Sequence, residues 1–121
     1  MADFGDGLHV VLIGTGSPLP DAMRAGRSTA VIADDKIYIV DSGGGSVRRM
    51  GEMRLPAGRI EATFLTHFHS DHIDGLGELM MMRWTSSGRT PPMPVYGPEG
   101  VQQVVDSLNM MYAQDKACRV A

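Results

Sequence analysis

The feature that most constrains this chain is its segment at residues 64–75, FLTHFHSDHIDG, which follows an apolar run. Three of the four histidines, His67, His69 and His72, lie within a span of six residues inside this segment, and Asp71 lies in the same span. A hydrophobic core has no use for such a group, because each buried polar side chain needs a partner or costs free energy. A solvated loop with incidental histidines is the plainer interpretation, but this spacing favours a metal site.

The order of the polar residues indicates how an ion would be held. Residues i and i+2 of an extended segment point to the same side, so His67 and His69 can close on one ion. Asp71 and His72 follow a turn, and they can either complete the coordination of that ion or bind a second ion. Imidazole and carboxylate ligands suit zinc, iron or manganese, and the absence of a nearby cysteine excludes a structural zinc site of the cysteine type. Gly75 allows a sharp turn into the next helix.

Apolar periodicity places this segment in a mixed fold. Short β-branched runs predict strands at residues 8–13, 28–33, 37–40 and 60–65 and a brief one at 95–97, and the second and third flank a tight turn and should pair antiparallel. Helical spacing predicts a short helix at 47–53 and longer ones at 73–84 and 98–112, the last opened by a proline. Strands come first and then alternate with helices, so the class is α/β or α+β.

Composition limits the choice of function. The chain has 121 residues, enough for one modest domain, and a net charge of −3, which argues against a general binder of polyanions. An RNA substrate would therefore need a local basic patch. The single cysteine, Cys118, excludes an internal disulfide and suits a reducing cytoplasm. We expect a cytoplasmic protein with no signal peptide and no membrane contact, because the N-terminal residues lack a basic region and a long apolar run.

Several segments resemble one known family. THFHSDHIDG resembles the T-H-x-H-x-D-H-x-x-G signature of the metallo-β-lactamase fold superfamily. LIGTGSPLPDAMRAGRSTAVI is similar to the opening strand, loop and second strand of its ribonuclease Z and arylsulfatase-like branch. IYIVDSGGG resembles the D-x-G loop of that branch, and VYGPEG resembles its Y-G-P segment. The resemblance runs from about Leu8 to about Gly100, which is most of the chain.

This resemblance implies an αββα sandwich with a metal site at one edge of its sheets, of which this chain would supply the N-terminal half. His67 and His69 would bind a first Zn²⁺ ion, and Asp71 and His72 a second, with Mn²⁺ or iron as alternatives. Asp41, which matches the D-x-G aspartate, would lie near the site, although a plain turn or cap residue is the other interpretation. The implied protein is a hydrolase that uses a metal-bound hydroxide as its nucleophile, with Asp71 as a catalytic proton shuttle.

The chain departs from the family after the signature. No histidine follows His72, whereas a complete site in the family needs at least two more histidines and a bridging aspartate. We therefore expect residues 1–121 to form a single partial domain, truncated at its C-terminus, that dimerises or joins a complementing chain. The implied substrate is a phosphodiester, as in a ribonuclease Z that acts on RNA. A hydrolase of small sulfate, ester or lactone substrates, and a non-catalytic half-domain that acts with a partner chain, are the alternatives.

Other segments carry weaker signals. GTGSPL lacks the third glycine of a dinucleotide site, and SGGGS lacks the lysine of a P-loop, so neither predicts a nucleotide site. MMMRW, residues 80–84, could line an apolar substrate mouth, although such a stripe on a helix is more often core. The loop arginines Arg24, Arg27 and Arg89 could meet a phosphate or sulfate group, although most loop arginines are simply solvated.

Overall fold

A computed structural model describes residues 7–87 and 91–120, and a five-stranded mixed sheet organises them. The strands follow one another across the sheet in chain order. The first three pair antiparallel, and the last two join them in parallel. Each strand falls where the apolar runs predict one, and the predicted mixed class is confirmed. The strands are β1 (Leu8–Gly14), β2 (Ser28–Ala33), β3 (Lys36–Val40), β4 (Ile60–Phe64) and β5 (Val95–Tyr96).

The helices follow the predicted order but differ in their limits. The single helix predicted at residues 73–84 is divided by a turn, and the helix predicted at 98–112 begins three residues later. Gly100 precedes that helix with a φ of 103°, so residues 98–100 form a turn instead of the first helical residues. A further helix follows where no helix is predicted. The helices are α1 (Ser46–Glu52), α2 (Ser70–Ile73), α3 (Leu76–Ser87), α4 (Val101–Met111) and α5 (Ala113–Val120), with a 3₁₀ turn at Ala57–Arg59.

One face of the sheet, the covered face, is packed against helices. Ile37 and Ile39 of β3 are fully buried there, and Ala30 and Ile32 of β2 lie beside them in the same cluster. Helices α1 and α3 complete this cluster with Met50, Leu76 and Leu79. The methionine-rich stripe at residues 80–84 is divided, since Met81 and Arg83 are buried whereas Met82 is exposed.

The other face of the sheet, the uncovered face, keeps apolar side chains in solvent. Leu8, Val10 and Leu12 alternate along β1 and are 69%, 63% and 61% exposed. The strand register continues this face across the sheet, and Phe64 and Tyr96 stack at its far side with ring centroids 5.3 Å apart. Apolar surface of this extent is unusual on a protein that acts alone. The uncovered face consists of Leu8, Val10, Leu12, Val31, Tyr38, Val40, Phe64 and Tyr96.

The parallel pairing of β3 and β4 brings the segments that follow them to one edge of the sheet. The Asp41 N–H donates to the Phe64 carbonyl at 2.8 Å. Beyond it, Ser42 bonds the backbone on both sides of the next turn, since its N–H donates to the His72 carbonyl and its carbonyl accepts from the Gly75 N–H, each at 2.8 Å. The edge is therefore fixed by backbone hydrogen bonds between two segments that are distant in the chain.

Gly75 has a different role from the predicted one. Its φ is not in the positive range, so the turn does not require glycine for its dihedral angles. A Cβ atom at Gly75 would instead meet the Gly43 carbonyl oxygen and approach Ser46 Oγ to 3.1 Å. Close backbone approach is what excludes a side chain at this position.

Among the residues that the structure describes, no helix combines the length and the apolar character needed to span a bilayer.

Candidate metal centre

The histidine segment leaves the end of β4 and turns into α2 at the edge of the sheet. His67 and His69 lie on the extended loop, and Asp71 and His72 occupy the first turn of α2. The His72 N–H donates to the His69 carbonyl at 2.9 Å, which closes this turn. The short helix therefore returns Asp71 and His72 toward the loop histidines.

The structure brings the four predicted ligands into one cluster. The His67 ring centroid lies 4.5 Å from that of His69 and 4.1 Å from that of His72. His72 Nε2 lies 3.4 Å from Asp71 Oδ2. Asp71 is buried, His67 and His72 are half-buried, and His69 is exposed. The cluster thus has one open side, at His69, and one side closed by the protein.

Asp41 supports the cluster from the closed side. This residue is only 6% exposed and has a positive φ of 61°, so it is a turn residue as well as a neighbour of the site. Its Oδ2 atom lies 2.8 Å from His72 Nδ1. Its Oδ1 atom accepts from the Thr66 N–H at 2.8 Å, and Oδ2 accepts from the Thr66 hydroxyl at 2.8 Å. Asp41 therefore bonds both ends of the histidine segment.

The surroundings of Asp41 also fix its charge. Burial by itself raises the pKa of this carboxyl group. Hydrogen bonds from the Thr66 N–H, His72 and the Thr66 hydroxyl together lower the pKa by more than burial raises it, so the pKa lies below its ordinary value. Asp41 is therefore a carboxylate at neutral pH and accepts all of these hydrogen bonds without donating one.

Two of the three predicted loop arginines can be placed. Arg27 Nε lies 3.7 Å from Asp71 Oδ2, and the Arg27 side chain is largely exposed. Arg24 lines a cleft of about 770 Å³ between the loop at residues 17–26 and α1, and Asp71 lies in the wall of this cleft. Arg89 lies outside the described residues.

Arg48, on α1, also lines the cleft and was not among the predicted site residues. Within residues 7–87 and 91–120, neither Arg24 nor Arg48 has an acidic partner, whereas Arg49 pairs with Glu52 at 2.6 Å. The sequence contains a signal that could have identified Arg48, because Arg48 and Arg49 are adjacent at the start of the short predicted helix. The position of Arg48 beside the cleft depends on how α1 packs.

The donor set fits a divalent ion in its chemistry. Three imidazoles and one carboxylate are ligands that zinc, iron and manganese accept. A carboxylate behind an imidazole, as Asp41 lies behind His72, is the usual support of a metal-bound histidine. In the described part of the chain, no three histidine, cysteine, aspartate or glutamate side chains already surround one point as a coordination site would. Coordination by His67, His69, Asp71 and His72 therefore stays a prediction.

Comparison with known proteins assigns the chain to a family. The family model described as anti-Pycsar protein Apyc1 matches residues 8–116. The chain belongs to this family. The Apyc1 match includes all five strands and the whole histidine segment, so the site and the sheet that carries it are both within the family region.

Individual relatives of this Apyc1-family chain support the same fold. It is 42% identical over 116 residues to the ribonuclease Z of Mycolicibacterium gilvum, and the match covers 94% of the chain but 41% of the relative. The human tRNase Z, short form, matches with a TM-score of 0.78 at 28% identity over 86% of this chain and 40% of that one. The Bacillus subtilis metallo-β-lactamase fold protein YhfI matches with a TM-score of 0.71 at 26% identity, over 81% and 41% of the two chains.

These similarities confirm the predicted metallo-β-lactamase fold and its ribonuclease Z-like N-terminal portion. The chain spans about two fifths of the length of the relatives that it matches. It therefore corresponds to one part of their fold, the part that contains the histidine segment.

Proposed function

We propose that this chain supplies the histidine-bearing part of a metal-dependent hydrolase of the ribonuclease Z type, which cleaves a phosphodiester in RNA. The observation that carries the proposal is the cluster of His67, His69, Asp71 and His72, whose innermost imidazole is bonded to Asp41. Relatives named ribonuclease Z and tRNase Z support the reaction class and RNA as the substrate.

In this proposal, His67 and His69 hold a first Zn²⁺ ion and Asp71 and His72 a second, with Mn²⁺ or iron as alternatives. Bound ions of this kind lower the pKa of water toward neutrality and so supply a nucleophile for attack on phosphorus. Asp41 orients His72 through Nδ1, and Arg27 lies beside the Asp71 carboxylate. Asp71, whose Oδ2 atom lies 3.4 Å from His72 Nε2, is the group that would take up or pass on a proton in this proposal.

The cleft beside the cluster supports a phosphodiester substrate. A protein with a net charge of −3 needs local cationic groups to bind RNA, and Arg24 and Arg48 offer two in the cleft that reaches Asp71, which Asp21, Glu52 and Asp74 also line. A small sulfate, ester or lactone substrate would need less basic surface than an RNA strand. The assay of catalysis distinguishes such a small substrate from RNA.

A further polypeptide, within the same protein or separate from it, is part of the proposal. Residues 1–121 hold no histidine after His72, and a complete dinuclear site needs more ligands than the histidine segment supplies. The uncovered face offers an apolar surface on which such a polypeptide can pack. We propose a complementing polypeptide or a second copy of this chain, in the reducing cytoplasm that the single cysteine suits.

Metal binding is the first test. Calorimetric titration of Zn²⁺ and Mn²⁺ into the metal-free chain should show binding that His69→Ala removes. His9→Ala, which alters a histidine on β1 outside the segment, is the matched control and should leave binding unchanged. Equal loss in the two variants would contradict the assignment of the ligands.

Catalysis is tested with a chimaera in which this chain replaces the matched segment of the Mycolicibacterium gilvum ribonuclease Z. We expect the chain alone to show little turnover and the chimaera to cleave a transfer RNA precursor at its 3′ trailer. His69→Ala and Asp71→Ala should each abolish cleavage, and His9→Ala should not. Turnover of bis-(p-nitrophenyl) phosphate without trailer cleavage would indicate the small-substrate hydrolase. Metal binding without any turnover would indicate the non-catalytic half-domain.

A further inference from the structure

The structure points to Thr66 and Asp41 as a pair of positioning residues that set the ring tautomer of two histidines, His67 and His72. We propose that one carboxylate controls both imidazoles, one directly and the other through the Thr66 hydroxyl. The proposal deepens the proposed function, because it concerns two of the proposed ligands. It can be tested without any metal, since the hydrogen bonds are made within the chain itself.

The direct half of the arrangement is the contact of Asp41 with His72. Asp41 Oδ2 lies 2.8 Å from His72 Nδ1, and both side chains are largely buried, at 8% and 13% exposed. Both Asp41 oxygens already accept hydrogen bonds from Thr66, and a carboxylate has no hydrogen to donate, so Asp41 can only accept at this contact. The hydrogen must therefore lie on His72 Nδ1, which leaves a lone pair on Nε2 in the neutral ring. That Nε2 atom faces Asp71 within the cluster.

The indirect half runs through the Thr66 hydroxyl. This hydroxyl donates its single hydrogen to Asp41 Oδ2 at 2.8 Å. The same oxygen lies 2.9 Å from His67 Nδ1. Because a hydroxyl has one hydrogen and two lone pairs, and the hydrogen is used at Asp41, the oxygen can only accept from His67. His67 therefore also carries its hydrogen on Nδ1, and its Nε2 lone pair is available to an ion.

The Thr66 backbone holds this arrangement in register. Its N–H donates to the second oxygen of Asp41 at 2.8 Å, so the carboxylate accepts two hydrogen bonds from Thr66.

A neutral imidazole without a partner in water favours hydrogen on Nε2, and that hydrogen would occupy the nitrogen that is needed to bind an ion. His69 is the natural comparison, since in the part of the chain that the structure describes its side chain contacts the His67 ring but forms no hydrogen bond. His67 and His72, whose rings have hydrogen-bond partners, should therefore differ in tautomer from His69.

Nitrogen NMR of the metal-free chain tests the proposal. Long-range proton–nitrogen correlation spectra, recorded at rising pH until the ring signals stop changing, distinguish the two tautomers of each neutral ring. We expect hydrogen on Nδ1 for His67 and His72, and the solvent-like preference for Nε2 at His69. A wild-type spectrum with His67 hydrogen on Nε2 would overturn the proposal by itself, whether or not any variant folds.

Variants at Thr66 separate the two halves. Thr66→Val keeps a β-branched side chain but removes the hydroxyl, and it should move His67 toward the Nε2 tautomer while His72 stays unchanged. Thr66→Ser restores a hydroxyl and should restore the wild-type His67 spectrum. Asp41→Ala should change both rings. If Thr66→Val leaves His67 unchanged in a well-dispersed spectrum, the relay through the hydroxyl is wrong.

Zinc affinity provides the second measurement. Loss of a hydrogen-bond partner behind a metal-bound histidine lowers affinity about 10–100-fold, so we expect about 10-fold for Thr66→Val and a larger loss for Asp41→Ala. Thr66→Ser should bind nearly as well as the wild type. Weaker binding by Thr66→Ser equal to that of Thr66→Val would contradict the role of the hydroxyl. Tautomers as expected in a chain that binds no metal would contradict the assignment of the ligands in the proposed function but not this inference.

Discussion

The two faces of the sheet are built from the same kind of residue and have opposite surroundings. On the covered face, Ile37 and Ile39 are fully buried beneath α1 and α3. On the uncovered face, Val10 and Leu12 remain 63% and 61% exposed. Apolar side chains on both faces are typical of a sheet that is covered on both sides. The comparison shows that these strands are suited to two coverings, of which the described residues supply one.

The largest effect should come from truncating the covered face. Ile39→Ala removes a fully buried side chain and should lower the free energy of unfolding by about 2–5 kcal/mol, measured by urea denaturation followed by circular dichroism. Leu12→Ala on the uncovered face is the control and should cost far less, because that side chain is mostly in solvent already. Equal losses would break the comparison, since they would mean that the uncovered face is packed in solution.

The next largest effect concerns a polar anchor on the helical side. Arg83 is 5% exposed, and it donates from Nε to the Ile60 carbonyl at 2.8 Å and from Nη1 to the Pro91 carbonyl at 3.2 Å. Arg83→Met keeps much of the apolar stem and should cost about 1.5–3 kcal/mol of unfolding free energy, because hydrogen bonds from a charged group are lost. Arg48→Met, at an exposed site, should change stability by less than about 0.5 kcal/mol. A similar loss of unfolding free energy in both variants would show that the hydrogen bonds of Arg83 do not stabilise the fold.

A smaller effect is expected for the aromatic pair on the uncovered face. Phe64 and Tyr96 stack at 5.3 Å although they are 41% and 56% exposed. A double-mutant cycle with Phe64→Ala and Tyr96→Ala should give a coupling of about 0.5–1.5 kcal/mol, measured by thermal or urea unfolding. A coupling near zero would mean that the stack contributes nothing until another layer covers it, which would sharpen the contrast between the faces.

The smallest effect on stability should accompany the largest effect on association. Val10→Lys combined with Leu12→Lys should change the unfolding free energy by less than about 0.5 kcal/mol per site, since both side chains are exposed. The pair should nevertheless reduce self-association in size-exclusion chromatography with light scattering, because lysines on an edge strand oppose pairing and packing. Gln102→Lys with Gln103→Lys, exposed on α4, adds the same charge as a control. A wild-type chain that stays monomeric at high concentration would contradict an apolar docking surface.

Much of the fold was predictable because its signals are local. The β-branched runs, the tight turn between β2 and β3 and the proline before α4 each act within a few residues, and the strands fell where they were predicted. The boundary between α2 and α3 was missed, because the periodicity of apolar residues continues across Asp74 and Gly75. Helix α5 was missed as well, since it is short, half of its residues are polar, and its apolar residues are small or exposed instead of forming part of the core.

The ligand residues of the candidate site were predictable for the same reason. His67, His69, Asp71 and His72 lie on one short segment, so their proximity follows from spacing alone. The supporting residues differ in this respect. Asp41 could be proposed only through a resemblance, and the Thr66 hydroxyl was not identified at all, although Thr66 belongs to the signature. Arg48 was likewise missed, because its place in the cleft depends on the packing of α1.

By itself, the sequence determined which side chains are the candidate metal ligands, on which strand end they lie and to which class the fold belongs, because each of these follows from neighbours in the chain. Only the tertiary structure decided that Asp41 meets His72 across 31 residues of sequence, since this contact requires β3 and β4 to pair in parallel. It also decided which face of the sheet the helices cover. Alternation of apolar residues along a strand is the same on either face, and only the direction in which the connecting helices pack distinguishes the two.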